Sequence, residues 1–257
     1  MNDLGGRKAP NWVVYVGNYG YLYMMKCGVL VFNFSGAYEA GEFLPWLRKQ
    51  PVGMKVLDLC GMEGTCCYCS EDAAAEIEGK LPERLPPLRW LDSGDYHYLS
   101  CLLARREKEP FHLVLLDNHP DNQDPAFDGV LSCGGWVKTL RERQPMLLDV
   151  LTIGPEGCPQ LLEDAWIEER RGERVYLSLD KDVMDRTWAR TDWSQGNHTL
   201  EEVKEWLGRL LDGRLEVAAV DICGELAPAK GATPEDLNVN LKTNRELQEF
   251  ILKRICR

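Results

Sequence analysis

The sequence predicts an α/β protein with a mostly parallel sheet covered on both faces by helices. Three observations carry this. Short apolar runs alternate with amphipathic stretches of about a dozen residues, the pattern of strands joined by crossover helices. Two of the runs, Phe111 to Leu116 and Val175 to Leu179, are apolar almost throughout, as strands buried on both faces are. Both end abruptly in carboxylates, and in such sheets ligands bind beyond the carboxyl ends of the strands.

Taken in order, Trp12 to Val16 and Val29 to Phe34 read as strands on either side of a Gly/Tyr-rich turn region, followed by a helix over Tyr38 to Lys49. Lys55 to Cys60 is a short buried strand. Ser70 is a good N-cap with Glu71 and Asp72 in the first turn, and its helix runs to about Lys80, where Pro82, Pro86 and Pro87 stop it. Leu88 to Leu91 is a strand, and Asp92-Ser93-Gly94-Asp95 opens a helix that buries Leu99, Leu102 and Leu103. After the strand Phe111 to Leu116 come a loop over Asp124 to Gly135 and a helix near Trp136 to Arg143. Met146 to Ile153 and Arg174 to Leu179 are strands flanking a helix over Pro159 to Arg170. Thr199 and Glu202 form a capping-box pair at the head of a stripe made by Leu200, Val203, Leu207, Leu210 and Leu211. Leu215 to Ile222 is the last strong strand, and Leu241 to Cys256 a terminal helix.

With 257 residues the chain can bury one large core, and residues 1–257 are expected to form a single domain. The net charge of −11 argues against nucleic acid or an anionic membrane as partner. Met1-Asn2-Asp3-Leu4-Gly5 lacks the pattern of a signal peptide, and Lys26 breaks the longest apolar region, Tyr19 to Phe34, so no membrane span is expected. A cytoplasmic protein whose ten cysteines stay reduced follows from these readings.

The strand Phe111 to Leu116 ends in Asp117-Asn118-His119-Pro120-Asp121, spaced so that an extended or gently curved segment aims three metal-competent side chains at one point. Val175 to Leu179 ends in Asp180-Lys181-Asp182. Crowding four carboxylates would raise their pKa values strongly unless cations were present. Oxygen-rich donor sets with some imidazole suit manganese (Mn2+), with zinc or iron(II) as lesser alternatives. Two ions roughly 3.5–4 Å apart use such a set economically, and His97 is the best candidate for a sixth ligand. The bland alternative for each Asp is a helix cap or turn residue.

Asp117-x-His119-x-Asp121 and Ser178-x-Asp180-x-Asp182-x-x-Asp185 resemble the two signature motifs of the arginase–agmatinase–formimidoylglutamase (ureohydrolase) family. Gly94-Asp95-Tyr96-His97 is similar to its Gly-Gly-Asp-His element, with one residue inserted. The resemblance covers Leu88 to Pro228. It implies a three-layer α/β/α, arginase-like fold and two manganese ions, one held by His97, Asp117, Asp121 and Asp180, the other by His119, Asp117, Asp180 and Asp182. It also implies attack of a metal-bridging hydroxide on a guanidinium or amidine carbon, and a catalytic role for Asp121. Glu225, in Glu225-x-x-Pro228, is similar to the glutamate that grips the substrate's guanidinium in that family, although Asp221 lies one residue further away than in the family pattern.

The chain also departs from the family. Arg186 stands where proline is usual. The loop after the first motif, Gly129 to Trp136, lacks the family's proton-moving histidine, leaving Cys133 or the distant His198 as replacements and Ser132 and Cys133 as candidate substrate contacts. Cys60, Cys66, Cys67 and Cys69 cluster without the separated pairs typical of zinc, and their loop is expected to lie near the active site. Trp188 and Trp193 are candidate pocket walls or loop aromatics, and His112 is structural. The expected function is hydrolysis of a non-peptide C–N bond in a small cationic guanidino, amidino or formimino compound, with homo-oligomer formation left open. An amide deacetylase, or a metal-binding relative without turnover, are the competing readings.

Overall fold

The computed structural model describes residues 12–15, 27–125, 130–155 and 162–256, with backbone alone for 12–15. The expected Gly/Tyr-rich turn, residues 126–129 of the long loop and the start of the Pro159 to Arg170 helix lie outside the described residues.

One sheet holds eight strands: β1 (Trp12–Tyr15), β2 (Val29–Asn33), β3 (Met54–Asp58), β5 (Leu88–Trp90), β6 (Phe111–Leu116), β8 (Leu147–Ile153), β9 (Arg174–Asp180) and β10 (Glu216–Cys223). Their spatial order is β1-β3-β2-β5-β10-β9-β6-β8. Seven run parallel, and β1 pairs antiparallel with β3 at one edge. β4 (Tyr68–Cys69) and β7 (Leu131–Ser132) form a separate antiparallel ribbon.

Alternation along the strands sends side chains to two cores. On one face Val31, Trp90, Val114, Leu177 and Ile222 meet Leu44, Leu207, Leu247 and Ile251 from helices Phe43–Leu47, Leu200–Leu210 and Pro234–Ile255. On the other, Leu30, Leu113, Leu115 and Tyr176 meet Ile77, Leu102 and Trp136 from helices Glu71–Lys80, Leu99–Ala104 and Trp136–Arg143. These are three layers, α/β/α. Every residue of β6 is buried, as its apolar run requires.

Three expected helices differ in extent. Tyr38 to Lys49 is two short helices, Ala37–Ala40 and Phe43–Leu47, broken at Gly41 and Glu42, where Glu42 takes φ 60°. Pro45 explains the break: it cannot donate to the carbonyl four residues back, so it is tolerated only in a first turn. Within the described part of Pro159 to Arg170, helix is confined to Asp164–Glu169. The terminal helix begins at Pro234, not Leu241, where Thr233 Oγ1 accepts from Asp236 N (3.2 Å) and Asp236 Oδ2 accepts from Thr233 N (3.0 Å). Its first buried positions are Asn240, Thr243 and Asn244, so an apolar stripe could not reveal them.

Candidate metal centre

Four adjacent strands, β5, β10, β9 and β6, end side by side, and the polar residues beyond them enclose a cleft. After β6 the chain bends at once, with none of the gentle curvature expected. His119 N donates to Asp117 Oδ1 (2.6 Å), and Asp121 adopts φ 44°, a left-handed conformation costly for a residue with a Cβ. That turn brings Asp121 Oδ2 to 2.9 Å from His97 Nδ1, and Trp136 Nε1 donates to the same oxygen (2.6 Å). His97 follows a 3-10 turn, Gly94–Tyr96, whose first amides are capped by Ser93. After β9, Asp182 N donates to Asp180 Oδ1 (2.9 Å), so the short turn Lys181–Val183 presents both carboxylates to the cleft.

The six side chains expected as ligands come together and line this cleft. His97 Nδ1 lies 3.3 Å from Asp117 Oδ2 and 3.5 Å from Asp180 Oδ2. His119 Nδ1 lies 2.8 Å from Asp182 Oδ2 and 3.5 Å from Asp117 Oδ1. Two three-residue groups that could hold a metal ion therefore share Asp117: His97-Asp117-Asp121 and Asp117-His119-Asp182. The second nitrogens are held too, His97 Nε2 by Ser178 Oγ and His119 Nε2 by Ser194 Oγ, each at 2.8 Å. Fixing the free ring nitrogen orients a histidine for ligation.

The electrostatics suit a cation. Asp117 Oδ2 is buried and takes part in no hydrogen bond. Burial, reinforced by Asp182, raises the Asp180 carboxyl to about 6, and burial with the Asp117 charge raises Asp182 to about 7. Asp117 and Asp121 are shifted up as well, mainly by burial. Hydrogen bonds to Asp117 and Asp182 hold His119 up at about 11. For His97 burial opposes the charge, but Cys223, Asp117 and Asp121 outweigh it and its pKa also rises. A divalent ion among these groups would favour the ionised carboxylates and the neutral imidazoles.

The other named residues fall differently. Cys133 lines the cleft, and burial together with the Asp121 charge pushes its thiol up to about 12. Ser132 pairs with Tyr68 in the β4–β7 ribbon and does not line the cleft. His198 packs on Trp206 (4.7 Å between rings) and lies 3.8 Å from Glu202, also away from the cleft. Glu225, expected to meet the substrate, faces the protein interior. Its Oε1 takes Lys181 Nζ and Asn244 Nδ2 (2.7 Å), its Oε2 takes Asn240 Nδ2 (2.9 Å), and it does not line the cleft. Asp221 is likewise internal: Ser100 Oγ and Tyr176 OH donate to it, and Arg89 lies 3.5 Å away.

Two contributors, Cys223 and Gln123, escaped the sequence reading. Cys223 pairs in register with Asp180 and donates its thiol to Asp180 Oδ2 (3.0 Å); strand register was the only signal. Gln123 lines the cleft beside Gly134. Trp193, expected as a pocket wall or a loop aromatic, lines the cleft at its rim, 41% exposed, and its indole N–H donates to Asp95 Oδ1 (3.0 Å). It lies so close over Gly94 that a Cβ there would stand 2.8 Å from the ring, which accounts for the glycine. His112 is structural as expected, bonded to Glu173 (2.7 Å) beside Trp166.

No protein-family model matches the chain. An uncharacterized protein of Thermotoga maritima is 28% identical over 215 residues, spanning 80% of this chain and 82% of that protein. Among solved structures, proclavaminate amidino hydrolase from Streptomyces clavuligerus superposes with a TM-score of 0.53 at 20% identity, over 72% of this chain and 69% of its own. Formimidoylglutamase from Bacillus subtilis gives 0.58 at 12% identity, over 88% and 86%. Arginase from Bacillus caldovelox gives 0.57 at 14%, over 87% and 97%. The chain has the arginase/ureohydrolase fold. Among the described residues no helix is long and apolar enough to cross a membrane.

Proposed function

We propose that this protein is a binuclear-manganese hydrolase that cleaves a non-peptide C–N bond in a small, linear, cationic guanidino, amidino or formimino compound. The observation that carries the proposal is the pair of donor groups sharing Asp117 at the ends of adjacent parallel strands. His97, Asp117, Asp121 and Asp180 would hold one ion, and His119, Asp117, Asp180 and Asp182 the other. Ions held there would supply Lewis acidity and lower the pKa of a bound water toward neutral pH.

The chain's own residues do the rest. Ser178, Ser194 and Trp136 hold His97, His119 and Asp121 in their orientations toward the cleft. Trp193 overhangs the rim with an exposed ring that can receive a cationic group on its face. Gln123 and Cys133 offer polar contacts in the lining of the cleft. Cys133 lines the cleft with a thiol proton that it can give a leaving amine. Glu225 has both oxygens engaged by Lys181, Asn240 and Asn244, so recognition of the cation rests on Trp193 and the acidic cleft.

Metal analysis after manganese reconstitution, followed by a panel of guanidino, amidino and formimino substrates, tests the proposal. About two equivalents of manganese and release of urea or ammonia are expected. Less than one equivalent of tightly bound metal, or release of acetate from acetylated amines instead, would overturn it.

A further inference from the structure

The four clustered cysteines do not form one group. Cys60 bonds to Asn33 and Cys69 is buried beside its own ribbon, whereas Cys66 and Cys67 converge on Asp95. Cys66 Sγ lies 3.5 Å from Asp95 Oδ2, and Cys67 Sγ lies 3.3 Å from Asp95 Oδ1. All three donor atoms fall within 4.8 Å of one another.

Neighbouring residues in extended chain point to opposite sides. Convergence of Cys66 and Cys67 on one carboxylate therefore needs a special backbone, and Cys67 has it: φ is 58°, a left-handed conformation that residues with a Cβ rarely adopt. The strained turn is pinned on both sides. Tyr98 OH donates to Thr65 O (2.7 Å), and Cys133 N donates to Cys67 O (2.9 Å). Asp95 is itself held, with Lys230 Nζ at 2.6 Å from Oδ2 and Trp193 Nε1 at 3.0 Å from Oδ1.

We propose that Cys66, Cys67 and Asp95 form a second, separate metal site at the mouth of the cleft that takes a zinc ion. Two thiolates and a carboxylate are a donor set suited to zinc. Cys66 is exposed, so a fourth position remains open to water. As the ion enters, both thiols release their protons to solvent and two Zn–S bonds form. One divalent cation replaces two protons, so the charge of the group, with Lys230 at its edge, does not change. The ion would tie the Cys66–Cys67 turn to Asp95 and hence to Trp193 above the cleft.

The test is site-specific alkylation of the full chain, read by mass spectrometry, with exposed Cys60 as internal reference. With free zinc at about 100 times its dissociation constant, alkylation of Cys66 should slow about a hundredfold, with Cys60 unaffected. The protection should survive Asp180→Asn, which disables the Asp/His cluster, so this site is judged independently of the hydrolase reading. Cys66→Ser and Cys66→Ser/Cys67→Ser should each lose one equivalent of zinc and keep the rest. Equal alkylation of Cys66 with and without zinc, or unchanged stoichiometry in the folded Cys66→Ser variant, would overturn the proposal.

Discussion

Lys181 and Glu225 form a buried ion pair directly behind the cleft, and its energetics decide what Glu225 does. The two side chains are 0% and 3% exposed, so neither charge reaches water. Asn244 contacts both, donating to Glu225 Oε1 and accepting from Lys181 Nζ (2.8 Å). Lys181→Met keeps the volume of the stem but strands a carboxylate with two amide donors. Glu225→Gln keeps an acceptor but strands an ammonium. Each should cost about 3–5 kcal/mol, the usual penalty for an orphaned buried charge. For a chain of this size that lowers Tm by about 6–20 °C. The double variant removes both charges and should return to within about 1 kcal/mol of wild type, giving a coupling energy of about 5 kcal/mol or more. Urea and thermal unfolding of the four proteins close the cycle. Single losses that add to within about 0.5 kcal/mol would refute the pair's importance. A Glu225→Gln variant with unchanged Tm but raised KM would show that Glu225 reaches the substrate after all.

Other expectations follow from the cleft. Asp180→Asn takes a carboxylate from both candidate ion positions and should abolish tight metal binding and turnover together; full activity in that variant would defeat the binuclear reading. Trp193→Ala should raise KM about 2- to 30-fold, the equivalent of a cation–π contact of about 0.5–2 kcal/mol, with kcat little changed, and Trp193→Phe should recover most of it; steady-state kinetics decide. Metal-free protein should lose stability as pH rises. Asp180 and Asp182 titrate at about 6 and about 7 when folded, above the ordinary 3.8, so the folded state holds extra protons in that interval and gives up their stabilisation as pH climbs through it. Manganese needs those carboxylates ionised and the histidines neutral, so the Tm gain on adding it should grow over the same interval. A gain independent of pH between about pH 5 and pH 8 would contradict the assigned ligands.

What the sequence could reveal depended on which forces were written locally. β6 and β9 were readable because burial on both faces leaves a nearly continuous apolar run, and their ends were readable because carboxylates are out of place there unless something binds them. The N-terminal half of the terminal helix is regular, yet its inward face carries Asn240, Thr243 and Asn244, which read as surface. Those amides are buried because Glu225 and Lys181 are. Lys181 and Glu225 are separated by 44 residues in sequence and come together only through strand order. A motif reading assigns Glu225 by its neighbours in the chain and cannot anticipate a partner that arrives from another strand. Cys223 was hidden for the same reason, ordinary as a strand-end cysteine and significant only through its register with Asp180. Conversely, Cys60, Cys66, Cys67 and Cys69 lack the separated pairs typical of zinc, and tertiary structure divides them, because the left-handed turn at Cys67 turns two thiols toward Asp95 and leaves the others behind. Buried polar groups are satisfied by partners wherever the fold supplies them. The parts of this site that were missed are therefore the ones whose partners come from a different strand, and the Lys181–Glu225 cycle measures the strongest of those unseen contacts.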